Sequence, residues 1–165
     1  MFSIQSLALD RLSVAFDSSS ECAICALHQD PIQYQDHVIS HSDCWMLRHH
    51  SNPAPLLGWL LLDTVRHCAG PWEFTDREMA DWGRALKHAC DLVRRGTGCD
   101  RVYTIAFGEG APHLHVHLIP HFSSDAATSA WKVADLYRDV ASGSRDAAAP
   151  QAVLEFVKQA RSEFL

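Results

Sequence analysis

Residues 113–119 read His-Leu-His-Val-His-Leu-Ile, so three histidines alternate with apolar residues. Successive side chains of a β-strand point to opposite faces of its sheet, and a strand here places His113, His115 and His117 on one face. Three imidazole rings on one face are costly to remove from water and repel one another when charged. The pattern therefore predicts a functional site on this strand.

Two uses of the histidine strand are open from the residues alone. All three histidines can bind one metal ion, or one can act as a nucleophile while its neighbours orient it. The metal-binding strand of cupins also contains His-x-His, but with a glycine six residues before the first histidine and a glutamate four or five residues after the second. Phe107, Ile119 and Pro120 stand at those positions, which disfavours a cupin site.

Length and composition fit one globular domain. The chain has 165 residues, of which 47% are hydrophobic and 21% charged, and its net charge is −6 at pH 7. This charge disfavours a long nucleic acid as partner, because such binding needs a concentrated Lys/Arg surface. No leader sequence or long apolar run is evident, so we expect a cytoplasmic protein with no membrane contact and with its six cysteines reduced.

Strand-like patterns occur in five segments of the chain, at residues 32–39, 44–49, 56–62, 101–107 and 113–119. Turn-forming residues separate them at short spacing, which favours antiparallel pairing. The Gly-Glu-Gly sequence at residues 108–110 joins the last two segments into a hairpin. These patterns predict an antiparallel sheet of about five strands.

Helical patterns account for much of the remaining sequence. Thr75 and Glu78 form a capping box that begins a long helix, Met79 is one of its periodic apolar residues, and Gly96 is expected to end it. Two further helical patterns cover residues 123–142 and 151–164. The fold class predicted is α+β, with helices packed on one face of the sheet.

The histidine strand resembles the signature of the histidine triad (HIT) superfamily, and Pro120 continues the match. Three other segments are similar to the family in the same order: residues 22–25 (Cys-Ala-Ile-Cys), 58–67 and 74–78. The resemblance covers residues 21–122. We therefore expect an N-terminal arm at residues 1–20, a HIT-like domain at 21–122 and a C-terminal helical extension at 123–165.

This resemblance implies a nucleotide hydrolase or nucleotidyl transferase. In the family the middle histidine attacks the α-phosphorus of a nucleoside phosphate derivative and forms a covalent nucleotidyl-histidine intermediate. That role falls on His115, with His117 as its catalytic partner and a nucleotide or dinucleotide as substrate. Two alternatives stay open: a dinucleoside polyphosphate phosphorylase, and a zinc-stabilised nucleotide-binding or regulatory protein with little turnover.

The resemblance also implies where the substrate binds. Gly108 and Gly110 would let backbone N–H groups approach a phosphate, although the family often has a serine or threonine in this turn and residues 110–112 here are Gly-Ala-Pro. Where the family places an acidic or amide residue on the ribose, this chain has Arg-His-His at residues 48–50. We take His49 as the candidate ribose contact.

The pair Cys22-x-x-Cys25 by itself fits buried thiols, a redox pair or half of a metal site. The metal-binding branches of the family add the histidine at the end of segment 58–67 and the first histidine of the triad. The implied ligands are Cys22, Cys25, His67 and His113, a set suited to a closed structural zinc site. Members of the family generally form homodimers, so we expect one here.

Overall fold

The computed structural model describes residues 22–163, so the arm expected at residues 1–20 lies outside the described part. Five strands form one sheet: β1 Val38–His41, β2 Trp45–His49, β3 Leu60–Thr64, β4 Arg101–Ile105 and β5 His115–His121. Their order is β1-β2-β3-β5-β4, and every neighbouring pair is antiparallel. The predicted α+β fold with a five-stranded antiparallel sheet is confirmed.

Five α-helices accompany the sheet: α1 Ala23–His28, α2 Pro31–His37, α3 Asp76–Thr97, α4 Val133–Ala141 and α5 Pro150–Ser162. Short 3-10 turns occur at Pro71–Glu73 and Ala126–Thr128. Within residues 22–163, none of these helices combines the length and apolar character that crossing a membrane requires.

The main core lies between one face of the sheet and the two helices α3 and α5. Apolar side chains of the central strands meet apolar side chains of both helices: Leu47, Leu60, Leu62, Leu118, Leu92, Val93, Val153 and Val157. Each such side chain contributes roughly 1.5–3 kcal/mol when fully buried. The short helix α4 packs on the other face, where its Val133 and Leu136 contact Trp59, Leu61 and Ile119.

The beginning of α3 is as predicted, but its end is not. The Thr75 hydroxyl accepts a hydrogen bond from the Glu78 N–H (3.3 Å), and the Glu78 carboxylate accepts one from the Thr75 N–H (2.7 Å). The helix continues through Gly96 and is capped by Gly98, whose φ of 68° lies in the left-handed region. Gly96 instead makes room for Phe156, since a Cβ there would lie 2.4 Å from that ring.

Met79 is 60% exposed, so its predicted place in the buried face of α3 is wrong. At this turn of the helix the residue that faces the protein is its neighbour Glu78, which is buried. The Arg66 guanidinium donates two hydrogen bonds to the Glu78 carboxylate, at 3.2 and 2.9 Å, and holds it there.

Two predicted strands, those at 32–39 and 56–62, begin several residues later than expected. Residues 31–37 form the helix α2, because Asp30 caps it by accepting hydrogen bonds from the backbone N–H groups of Ile32 and Gln33, and Pro31 fits its first position. Only residues 38–41 are extended. The strand predicted at 56–62 starts at Leu60, because Gly58 has a φ of 77° that no extended strand allows.

Candidate active site

Strand β5 places His115 and His117 on one face, as the sequence predicts. Leu114 and Val116 pack towards α3. His115 and His117 lie on the opposite face, with their ring centres 5.4 Å apart. His113 lies two residues before the strand and is buried.

The ring of His115 is held in one tautomer by the backbone. Its Nδ1 lies 2.7 Å from the carbonyl oxygen of His113. Because a carbonyl oxygen only accepts, Nδ1 carries the proton of the neutral ring, and Nε2 of that form keeps its lone pair. His115 is half-buried and lines two clefts, so its neutral form presents the Nε2 lone pair to a ligand there.

His117 is held in the opposite tautomer by Trp59. The indole N–H of Trp59 donates to Nδ1 of His117 over 3.0 Å, and an indole nitrogen can only donate. The proton of His117 therefore resides on Nε2. Burial, reinforced by the neighbouring His115, lowers the pKa of His117 to about 3, so the ring is a neutral hydrogen-bond donor at physiological pH.

Sequence reasoning missed the role of Trp59. The residue is 1% exposed and packs with α4, as an ordinary core tryptophan does. No local signal in the sequence indicates this role, because it depends on Trp59 immediately preceding β3, the neighbour of the histidine strand.

Two clefts meet at His115 and His117. The first, of about 380 Å³, extends towards α1 and β2 and is lined by Ile24, Leu27, Arg48, His50, Pro53 and Leu61. The second, of about 430 Å³, extends towards the β4–β5 connection and α4 and is lined by Trp59, Phe107, Gly108, Gly110, Val133 and Arg138. A ligand whose reacting group lies at His115 can therefore extend in both directions.

The glycine turn at residues 108–110 lies beside the histidine strand, where the sequence analysis expected it. Gly108 and Gly110 line the second cleft together with His115. Gly108 has a φ of 68°, which L-residues with a side chain rarely adopt. Contact between this turn and a phosphate stays a prediction.

His49 does not reach either cleft, so its assignment as a ribose contact is wrong. It pairs with Leu60 on β3, shares the helix-facing side of the sheet, and is 0% exposed. Its Nδ1–H donates to the His50 carbonyl (2.9 Å) and its Nε2 accepts from the Gly58 N–H (2.9 Å). Strand alternation explains the error, because His50, one residue later, is the residue that lines the first cleft.

His50 contributes an acceptor to that cleft. Its Nδ1 lies 2.7 Å from the Ser51 carbonyl oxygen and must donate to it, which leaves Nε2 unprotonated. Burial lowers the pKa of His50 to about 4. The ring is therefore neutral at physiological pH.

The four residues expected to bind metal lie together. One potential ligand atom from each of Cys22, Cys25, His67 and His113 lies within 4.8 Å of every other. The Cys25 sulfur is 3.4 Å from Nδ1 of His67 and 3.4 Å from Nδ1 of His113, and the Cys22 sulfur is 3.5 Å from the latter. Tetrahedral zinc with ordinary bond lengths separates its sulfur and nitrogen ligands by roughly 3.5 Å.

Hydrogen bonding agrees with this geometry, whereas the electrostatics of the cluster without a cation favour protonated thiols. Nε2–H of His113 donates to the carbonyl oxygen of Thr64 (2.8 Å), which leaves Nδ1 free of its proton and turned to the sulfurs. Burial and the adjacent Cys22 raise the pKa of the Cys25 thiol. The cluster is compatible with zinc in ligand types, number and spacing.

A buried ion pair lies beside the histidines. Asp63 is 0% exposed and is the cross-strand partner of His115. Its carboxylate accepts hydrogen bonds from Nε of Arg48 (2.6 Å), Nη2 of Arg48 (3.4 Å) and Nε2 of His28 (2.9 Å). Burial alone would raise the pKa of Asp63, but Arg48 and His28 outweigh it and lower that pKa. The sequence hint was a carboxylate inside an apolar strand.

Comparisons with known proteins relate this geometry to a fold. No family model and no curated protein matches the sequence. Among solved structures, a zinc-bound histidine triad family protein from Mycobacterium smegmatis aligns with a TM-score of 0.63 and 14% identity, covering 88% of this chain and 96% of that one. The chain has the histidine triad fold.

Other histidine triad structures agree. A HIT-like protein from Bartonella henselae, described as involved in cell-cycle regulation, gives a TM-score of 0.62 at 12% identity and covers 87% of this chain and 96% of that one. A histidine triad protein from Bradyrhizobium japonicum gives 0.60 at 20% identity, covering 82% and 96%. The resemblance inferred from the histidine strand is thus confirmed for the histidine triad fold.

Proposed function

We propose that the chain is a nucleotide hydrolase or nucleotidyl transferase in which His115 is the nucleophile. The observation that carries this proposal is the hydrogen bond from Nδ1 of His115 to the His113 carbonyl, which leaves Nε2 unprotonated where two clefts meet. A neutral imidazole with a free nitrogen is a competent nucleophile near neutral pH. The histidine triad fold supports the same assignment.

The reaction divides into two displacements at phosphorus. Nε2 of His115 attacks the α-phosphorus of the substrate, a nitrogen–phosphorus bond forms, and the leaving group departs with the electron pair of its phosphorus–oxygen bond. Water then attacks the same phosphorus and loses a proton to solvent, and the nitrogen–phosphorus electron pair returns to Nε2. Inorganic phosphate or another acceptor in place of water gives the phosphorylase or transferase outcome.

His117 acts as a fixed donor in this scheme. Its Nδ1 is occupied by Trp59, so its Nε2–H donates to a non-bridging oxygen of the phosphoryl group as negative charge develops there. With a pKa of about 3 the ring stays neutral. A leaving group that departs as a stable anion, such as a nucleotide or polyphosphate, therefore suits this site.

The two clefts divide the substrate between them. Ile24, Leu27 and Leu61 give the first cleft apolar walls suited to a nucleoside. The second cleft has the Gly108–Gly110 turn and Arg138, which suit phosphate oxygens of the leaving group. His115 lies between the nucleoside and the leaving group in this arrangement.

The Cys22, Cys25, His67 and His113 cluster would hold a structural zinc ion. With four protein ligands the metal has no open position, so it would supply folding free energy rather than chemistry, on the order of 10 kcal/mol at neutral pH. Cys22 occupies the N-cap position of α1 and Cys25 lies in its first turn, and Ile24 and Leu27 of that helix line the first cleft. Zinc would thereby hold one wall of the nucleoside cleft against β5.

One feature favours the second candidate, a nucleotide-binding or regulatory protein with little turnover. Residues 108–112 contain no hydroxyl side chain that could contact a phosphate. Fewer donors at the phosphoryl group lower the stabilisation of the transition state more than the affinity for a nucleotide. Tight nucleotide binding with very slow product formation would identify this case.

Turnover of dinucleoside polyphosphates and nucleoside phosphoramidates by purified protein tests the proposal. The variant His115→Asn keeps a side-chain donor for the His113 carbonyl but lacks the nucleophile, and we expect it to lose turnover by at least about a thousandfold. The matched control His41→Asn changes an exposed histidine of β1 and should retain it. Full activity of His115→Asn would contradict the proposal, and phosphorus NMR of the products separates water from phosphate as acceptor.

A further inference from the structure

Arg48 has hydrogen-bond donors that the protein leaves unused. It is 3% exposed, lies on β2 and lines the first cleft. The side edge of its guanidinium, formed by Nε and Nη2, donates to Asp63 at 2.6 and 3.4 Å. The end edge, formed by Nη1 and the other N–H of Nη2, has no acceptor among residues 22–163.

This edge borders the first cleft and has no acceptor among the described residues, so it is suited to a ligand. We propose that the end edge of Arg48 binds two adjacent acceptor atoms of a nucleobase and makes the first cleft selective for 6-oxopurine nucleotides. This inference rests on the proposed function, because it requires a nucleotide in the cleft. It identifies Arg48 as a specificity-determining residue.

The charge of Arg48 bears on whether it binds the base or the reacting phosphate. Its backbone lies two strand spacings from that of His117, roughly 10 Å, but its guanidinium reaches Asp63, the cross-strand partner of His115. Asp63 neutralises the guanidinium, which weakens its attraction for a phosphate dianion but leaves its N–H donors intact.

The surroundings of the edge also suit a base. Ile24, Leu27 and Leu61 form apolar walls on the same cleft, as a flat heterocycle requires. His50 adds its unprotonated Nε2, an acceptor for a ribose hydroxyl or a base N–H. The cleft therefore combines a planar pair of donors, one acceptor and apolar sides.

The pair of donors selects among bases. Guanine and hypoxanthine present two adjacent acceptors, N7 and O6, which match a guanidinium edge in a bidentate way. Adenine presents N7 beside its N6 amino group, whose protons would face the protons of Arg48. Pyrimidines have no such adjacent pair of acceptors on that edge.

Calorimetric titration of the whole protein with GMP, IMP, AMP and 7-deaza-GMP tests the inference. We expect GMP and IMP to bind at least about tenfold more tightly than AMP. 7-deaza-GMP lacks the N7 acceptor and should lose most of this advantage. Arg48→Lys keeps a cation beside Asp63 but removes the end edge of the guanidinium. This variant should therefore bind GMP and AMP with affinities within about twofold of each other.

Each outcome separates the inference from the proposed function. Equal affinities for GMP and AMP in the wild type, or a preference that persists in Arg48→Lys, would overturn the inference alone. Failure of every nucleotide to bind would overturn the proposed function as well. If Arg48→Lys does not fold, as circular dichroism would reveal, the comparison of GMP with 7-deaza-GMP on the wild type decides the question.

Discussion

The indole N–H of Trp59 donates to Nδ1 of His117 over 3.0 Å, and both residues are buried. The bond determines which nitrogen of the histidine carries the proton. A residue outside the histidine strand thus sets the chemical form of one of the proposed catalytic rings.

Replacing Trp59 should therefore impair catalysis through His117. In Trp59→Phe the apolar packing is largely kept and the N–H donor is lost, so His117 is free to populate both tautomers. We expect kcat to fall by about tenfold, the value of one hydrogen bond in the transition state. Nitrogen NMR of the histidine rings should show the change in tautomer directly.

Trp45 offers the matched control for this substitution. It is buried as well, but its indole nitrogen has no hydrogen-bond partner among the described residues. Trp45→Phe should cost stability without altering the tautomer of His117. An unchanged nitrogen spectrum in Trp59→Phe would show that the indole does not fix the ring.

Stability should depend on pH through His49. Burial lowers the pKa of His49 to about 4, below its ordinary 6.5, although the hydrogen bond to the His50 carbonyl opposes this shift. The unfolded state therefore binds more protons between these values, and the free energy of unfolding falls as pH decreases from about 6.5 to about 4. Above about pH 6.5 the stability that the neutral, buried His49 contributes is fully present.

Urea unfolding at several pH values measures this effect. His49→Gln can still donate and accept but does not titrate, so its unfolding free energy should fall less steeply through the same window. Parallel pH profiles for the two proteins would mean that His49 is not responsible.

Removing one thiol from the metal cluster should remove the metal. We expect the purified protein to contain about one zinc ion per chain by elemental analysis, and Cys22→Ser to lose most of it together with several degrees of thermal stability. Cys90→Ser changes a half-buried cysteine of α3 outside the cluster and should keep the zinc. Equal zinc content in both variants would exclude the assigned ligands.

Alanine substitutions in the glycine turn should distinguish the role of Gly108 from that of Gly110. A Cβ at either position meets no atom within 4 Å, but only Gly108 has a positive φ. Gly108→Ala should lower the free energy of unfolding by about 1–2 kcal/mol, the cost of the left-handed conformation, while Gly110→Ala should change it little. Similar losses in the two variants would rule out backbone conformation as the reason for glycine at 108.

Local patterns in the sequence predict the features that depend on neighbouring residues. Alternation places His115 and His117 on one face, and the capping box fixes the start of α3. The helix α2 was missed because its apolar content outweighed the start signal at Asp30 and Pro31, although that signal is also local.

Features that depend on strand register could not be predicted in this way. The ion pair of Arg48 with Asp63 and the bond of Trp59 to His117 each join residues far apart in the chain. The choice between His49 and His50 depends on which of them faces the cleft, and the apolar pattern of β2 alone does not fix this. The residues of the metal cluster lie far apart in the sequence, and only the family resemblance indicates that they come together.

Mass spectrometry of the protein quenched during turnover of a dinucleoside polyphosphate tests the central claim most directly. The account predicts a species heavier by one nucleotidyl group, with the group mapped by peptide fragmentation to His115 and released by acid, as expected of a nitrogen–phosphorus bond. Turnover without any adduct in wild type, or an adduct on another residue, would contradict it.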